Sequence, residues 1–169
     1  MELNDLLSSR CPPNPFYYAY ILVAYQSVYS LAPDWTGLLL PPYDTTLPPL
    51  FNGNTDGGTI SSYMPGCNMS SILPPALVSS LTNDPGCPLL LALKDNDLDH
   101  WKPIAPMTLY QCSGDQDVLF ANLQVAYSNF VALGATHVQW SDPAPGADHG
   151  GCVLPSLEAA KIWFDSLKQ

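Results

Sequence analysis

Basic side chains are scarce. The chain has 5 Lys+Arg against 15 Asp+Glu, a net charge of −10. A surface of that sign repels phosphate backbones and anionic headgroups, which argues against nucleic acid as a partner. Acidity also serves solubility, its plainer consequence. Long apolar runs are missing as well. Tyr18–Ala24 (YAYILVA) is far short of the ~20 residues a bilayer span needs, so no stable membrane insertion is expected. The opening MELNDLLSSR lacks the apolar segment of a signal peptide, which predicts either a cytosolic protein or a native start further upstream. No two cysteines have the CxxC spacing, so a zinc site is poorly supported and no metal is expected.

Apolar content of 47 % is enough to build a core. The 18 prolines exceed the usual ~5 % and gather in the first hundred positions, which predicts a loop-rich region there. A helix is predicted from Asn14-Pro15 to about Leu31, with Asn14 as cap and Tyr17, Ile21, Ala24, Tyr25 and Val28 at three-four spacing. Pro and Gly punctuation then divides residues 32–86 into short pieces, with helical turns expected near 48–53, 57–63, 74–82 and 88–95.

The pattern changes near Pro103. Residues 106–112 (PMTLYQC) read as a strand and 119–133 as a helix with Leu119, Leu123, Ala126, Phe130 and Leu133 on one face, stopped by Gly134. Residues 136–140 (THVQW) read as a second strand. A Pro- and Gly-rich loop, 141–152, leads to a last helix near 154–167, with Leu157, Ala160, Ile162, Trp163 and Leu167 on its buried side. The expected division is residues 1–102, helical and loop-rich, and residues 103–169, a βαβα unit whose two strands are parallel neighbours.

Working residues of an open parallel sheet lie just beyond the carboxyl ends of its strands. Two loops occupy those ends, one with Gly114-Asp115-Gln116-Asp117 and one with Asp148-His149-Gly150-Gly151. An acid and a histidine thus meet at one rim. The carboxylate can fix the imidazole tautomer and stabilise the imidazolium, and the histidine can act as general base towards a hydroxyl.

These residues resemble the α/β-hydrolase fold serine hydrolases, in particular capped lipase- and esterase-like members. Gly114-Asp115-Gln116-Asp117-Val118-Leu119 is similar to the Gly then Asp-x-x-Val-Pro after the penultimate core strand, with Leu119 in place of Pro. His149-Gly150-Gly151 is similar to the His-Gly after the last strand. The resemblance covers about 103–169 well and 1–102 more weakly. It implies Asp115 as catalytic acid, with Asp117 as runner-up, and His149 as base. One of the two acids can instead cap the following helix, a role that suits Asp117. It implies no cofactor, an ester or lipid-like substrate, a helical cap over 1–102 and a secreted or periplasmic setting.

The family's nucleophile sits in Gly-x-Ser-x-Gly and precedes the acid. Residues 66–70 (GCNMS) and 57–62 (GGTISS) do not match it, and no His-Gly oxyanion motif stands upstream. The expectation is therefore the C-terminal portion of such an enzyme, its serine elsewhere. Two parallel strands cannot close a core, so the sheet is expected to be completed by an N-terminal half or by self-association. The rival readings are a non-catalytic half-domain acting as an interaction module, with Asp115 and His149 too far apart to bond or the sheet completed some other way, and a peptidase or amidase on the same fold.

Other features have plainer readings. Cys112 and Cys152 stand at the ends of adjacent strands, where a bridge fits; Cys67 with Cys87 makes a similar pair, and unbridged thiols suit the sequence equally. His137 in a strand and His100 in a loop read as structural or solvated. Asp95–Pro106 imitates a calcium loop at positions 1, 3 and 5, but has no Gly at 6 and Pro at 12, so it reads as a polar turn. Asn68-Met69-Ser70 is a glycosylation sequon. The aromatic helix 16–31 suits cap packing more than an acyl pocket.

Overall fold

The computed structural model describes residues 11–66 and 68–168. The chain divides into two compact units, between Asp97 and Leu98.

In the N-terminal unit, helix α1 spans Phe16–Tyr29, α2 Tyr43–Thr46, α3 Gly57–Ser62, α4 Pro75–Asn83 and α5 Pro88–Asp95, with 3-10 turns at Trp35–Gly37, Pro48–Leu50 and Met69–Ser71. Proline opens α4 and α5 in their first turns, where its missing N–H costs nothing. Asp56 caps α3 by accepting from Thr59 N–H. α1 differs from expectation at both ends. It starts after Pro15 with no side-chain cap, and it stops at Tyr29 because Ser30 turns left-handed. Its buried residues are Tyr18, Ala19 and Leu22; of the residues at three-four spacing, Ile21 and Tyr25 pack partly buried against the core and Val28 is 73 % exposed. A helix apolar on most sides has no periodicity to select its inner face; its neighbours α3 and α5 select it. The Phe16 ring lies on Gly57, where a Cβ would come within 2.3 Å of Cε1. Leu22, Leu38, Leu39, Leu47, Ile72 and Leu81 form the middle of one continuous core.

Helix α5 also holds Cys87 at its start as a buried free thiol, so the Cys67–Cys87 bridge does not form; Cys67 lies outside the described residues. Cys87 packs among the core leucines, where a thiol behaves as a small apolar group. Asn68, the sequon asparagine, caps the 3-10 turn Met69–Ser71 through Ser70 N–H.

The C-terminal unit consists of β1 (Met107–Tyr110), α6 (Phe120–Ala132), β2 (Val138–Ser141) and α7 (His149–Ser166). The strands pair in parallel, Met107 opposite Val138 and Tyr110 opposite Ser141. α6 connects them and stops where Gly134 adopts positive φ. Leu123 and Phe130 are its buried residues; Leu133, expected on the same face, is 47 % exposed. The crossover is fixed by Phe120 against Trp140 and Trp101 against Phe130.

Two differences from the sequence expectation concern α7. It begins at His149, well before Leu154, because Asp148 accepts from Gly151 N–H and caps it there; Pro155 is thereby inside the helix. The predicted inner face is also only partly covered, with Ala160 and Trp163 half-buried. Leu157, Ile162 and Leu167 are 63 %, 71 % and 47 % exposed, and of all α7 residues only Cys152 is buried. A two-stranded sheet is too narrow to cover the stripe. The strands show the same deficit: β1 is only half-buried, and Gln139 and Trp140 of β2 are exposed, where an interior parallel strand is enclosed on both faces. Among the described residues, no helix is long and apolar enough to cross a membrane.

Candidate active site

The strand tips bring the two predicted residues together. The ladder continues past Tyr110 as Gln111 N–H donates to Ser141 C=O, and the chain then turns through Cys112 to Asp115. Asp115 is 5 % exposed. One of its carboxylate oxygens, Oδ1, accepts the backbone N–H groups of Asp117 and Val118, each at 2.9 Å. The other, Oδ2, lies 2.8 Å from His149 Nδ1. A buried carboxylate needs such donors, and here they come from its own turn and from one imidazole. Facing a carboxylate, Nδ1 is the protonated nitrogen, so the basic lone pair belongs to Nε2.

His149 stands in the first turn of α7, not in a loop. Its side chain is 42 % exposed, so one edge of the ring meets Asp115 and another meets solvent. The hydrogen bond to Asp115 holds its pKa above the ordinary 6.5; burial opposes this, and the charges of Asp115, Asp117 and Asp148 support it. The positive end of the helix also works against the imidazolium, and the acids outweigh it. The pair borders a depression of about 260 Å³ that Tyr110, Val118, Val153 and Ser156 help to line.

Asp117 stands in neither of the two positions considered for it. The carboxylate on His149 is that of Asp115, and the residue before α6 is Leu119, with no side-chain cap. Asp117 contributes its charge near His149 and its N–H to Asp115.

Several groups that build the site were not singled out in the sequence. Ser113 N–H donates to Asp142 Oδ2 at 3.2 Å, and Gly146 N–H donates to Ser113 Oγ at 3.2 Å. Gly114 packs on the backbone of Gly146 and Ala147. The Cys112–Cys152 bridge, which the sequence did offer, also forms, with Cα atoms 5.7 Å apart, and ties the turn before Asp115 to the first turns of α7. Only the Gly-rich, Pro-rich character of 141–152 signalled that two backbones meet closely here.

The remaining histidines lie elsewhere. His137 is exposed and precedes β2, where its carbonyl accepts from Met107 N–H. His100 is exposed and pairs with Asp99, which also accepts from Asn129 Nδ2 at 2.8 Å; this polar turn is what occupies the calcium-like stretch. Among the described residues no cluster of three or more potential metal ligands occurs.

No family model and no curated protein matches the chain. Solved structures do. A Legionella pneumophila protein designated a hydrolase by inference superposes with a TM-score of 0.79 at 23 % identity, over 95 % of this chain and 43 % of its own. The rice cell wall degrading esterase LipA from Xanthomonas oryzae, as a G231F mutant, superposes with a TM-score of 0.74 at 22 % identity, over 90 % of this chain and 41 % of its own. A ligand-bound form of LipA gives 0.70 at 24 % identity. The chain therefore has an esterase- and hydrolase-like fold and spans less than half the length of these proteins.

Proposed function

We propose that this chain supplies the acid and the histidine of a serine-type carboxylic-ester hydrolase, with the seryl nucleophile and oxyanion donors on residues outside it. The observation that carries the reading is the 2.8 Å contact between Asp115 Oδ2 and His149 Nδ1 at two neighbouring strand tips. On this reading Nε2 takes the seryl proton as the seryl oxygen attacks the ester carbonyl. The imidazolium is stabilised by Asp115 and then protonates the departing alkoxide; water repeats the cycle on the acyl-enzyme. The esterase named among the similar structures supports the reaction class. A lipid-like acyl group suits the apolar, Pro-rich composition, and residues 1–102 then act as the helical cap.

The rest of the enzyme's sheet, on this reading, pairs with β1 and covers α7, and the chain on its own self-associates through the same surface. The disulfide supports an oxidising setting, secreted or periplasmic. The non-catalytic reading expected either Asp115 and His149 beyond hydrogen-bond reach or a sheet completed some other way, and their contact speaks against the first of these.

The test joins this chain to a preceding segment bearing Gly-x-Ser-x-Gly and assays p-nitrophenyl esters together with fluorophosphonate labelling of that serine. Turnover and labelling are expected, and both should collapse in His149→Ala. Robust, His149-dependent hydrolysis by the 169 residues alone would place the nucleophile within them and overturn the division of the triad.

A further inference from the structure

We propose that the Cys112–Cys152 disulfide is the positioning element that holds His149 against Asp115, so that the pair stays assembled only while the bridge is oxidised. The spacing is the first argument. Cys112 stands three residues before Asp115 and Cys152 three residues after His149, one helical turn further along α7. The bridge therefore closes a loop with one member of the pair just inside each end. Displacing either sulfur displaces the neighbouring functional side chain.

Packing is the second argument. α7 has 18 residues, and Cys152 is the buried one. Its neighbours Val153 and Leu154 are 54 % and 64 % exposed, so the first turns of the helix gain little from apolar contact. Cys112, in contrast, is fully buried. The sulfur–sulfur bond thus transmits the rigidity of the β1 terminus to a helix start whose apolar side chains are largely exposed. The Asp148 cap orders the turn internally but does not fasten it to the sheet. Other fastenings of α7 and its loop to the β1 side are the exposed hydrogen bonds of Ser113 with Asp142 and Gly146, the backbone contact of Gly114 with Gly146 and Ala147, and the Tyr110 hydroxyl donating to Ala159 C=O at 3.4 Å; none of them attaches at the turn from His149 to Cys152.

The inference concerns the pair read above as acid and base, and its test reads geometry, not turnover, so the two can fail separately. In the full chain with labelled histidines, the ring pKa of His149 is followed by NMR titration. Oxidised, it should lie above 6.5. A water-soluble phosphine then reduces the bridge: the phosphine and one water give the phosphine oxide, and the two protons and two electrons released convert the disulfide to two thiols. Most of the upward shift should vanish, leaving a value near that of Asp115→Asn. Asp148 and Asp117 remain in the chain beside His149, so a residue of the shift persists. The double variant C112A/C152A should reproduce the effect while Cys11, disulfide-bonded in the N-terminal unit, is untouched. An unchanged His149 pKa in the reduced chain and in the double variant overturns the proposal. So does loss of the far-UV helix signal in the double variant, which would assign the bridge to the whole fold and not to the site.

Discussion

Gly114 lies so close to Gly146 that a Cβ on Gly114 would come within 2.3 Å of the Gly146 carbonyl oxygen, with Ala147 O at 2.8 Å. The turn carrying Asp115 and the loop delivering His149 therefore touch backbone to backbone. Neither of the opposing atoms is the end of a flexible side chain that could swing aside.

Gly114→Ala should force these two segments apart. A destabilisation of about 1–3 kcal/mol is expected from overpacking, measured by urea unfolding. The same variant should lower the His149 pKa, because separating the loops lengthens its bond to Asp115. An Ala variant with wild-type stability and titration would contradict the close approach.

Asp115→Asn keeps the size of the side chain and removes its charge. The His149 pKa should drop, since the hydrogen bond to that carboxylate is the largest cause of its elevation. In a reconstituted hydrolase, kcat should fall roughly 10²–10⁴-fold with little change in KM. Asp117→Asn, which removes only a nearby charge, should move the pKa less and leave most activity. Equal losses in the two variants would count against Asp115 as the acid.

Stability should carry the mark of the same histidine. Its folded pKa is raised above the unfolded value near 6.5, so the folded state keeps the proton to higher pH. That contribution is fully present below 6.5 and is lost as pH rises through the folded value. Urea midpoints measured between about pH 6 and 8.5 should fall with pH in the wild type and fall less in His149→Gln, whose difference isolates this group. A midpoint that rises with pH relative to His149→Gln would reverse the sign and refute the elevated pKa.

The site was more legible in the sequence than the surface around it. Asp115 and His149 could be paired because strand-end loops are placed by topology, and the strand–helix–strand–helix order of 106–167 was written in local periodicity. The start of α7 was misplaced because Gly150-Gly151 reads as loop; its first turn is held by the Asp148 cap and the bridged Cys152, and neither has a periodic signature. The inner face of α1 was not legible because an all-round apolar helix takes its orientation from tertiary neighbours. Cys67–Cys87 fails on the same ground, since a buried thiol and a bridged one look alike in sequence.

Cys87 is fully buried in the core of the N-terminal unit. Its thiol should resist iodoacetamide in the native protein and react once the chain is unfolded in denaturant, as followed by peptide mass mapping. Cys87→Ala should cost about 1 kcal/mol, the size of an ordinary core truncation. Rapid alkylation under native conditions would show that this helix start opens readily and is not part of the core.

The exposed stripe of α7 gives the last prediction. Leu157 and Ile162 are 63 % and 71 % exposed on the isolated chain, beside a strand pair whose outer side is only half covered. Large apolar side chains left exposed in this way favour association. The chain alone should therefore self-associate in sedimentation velocity runs and bind an environment-sensitive dye. Leu157→Lys with Ile162→Lys should weaken both, because each ammonium would be buried unpaired in the contact. Both side chains already face solvent, so stability should change by no more than about 0.5 kcal/mol each. If the double variant associates as strongly as the wild type, a different surface mediates the contact, and α7 is not the face that the rest of a hydrolase sheet would cover.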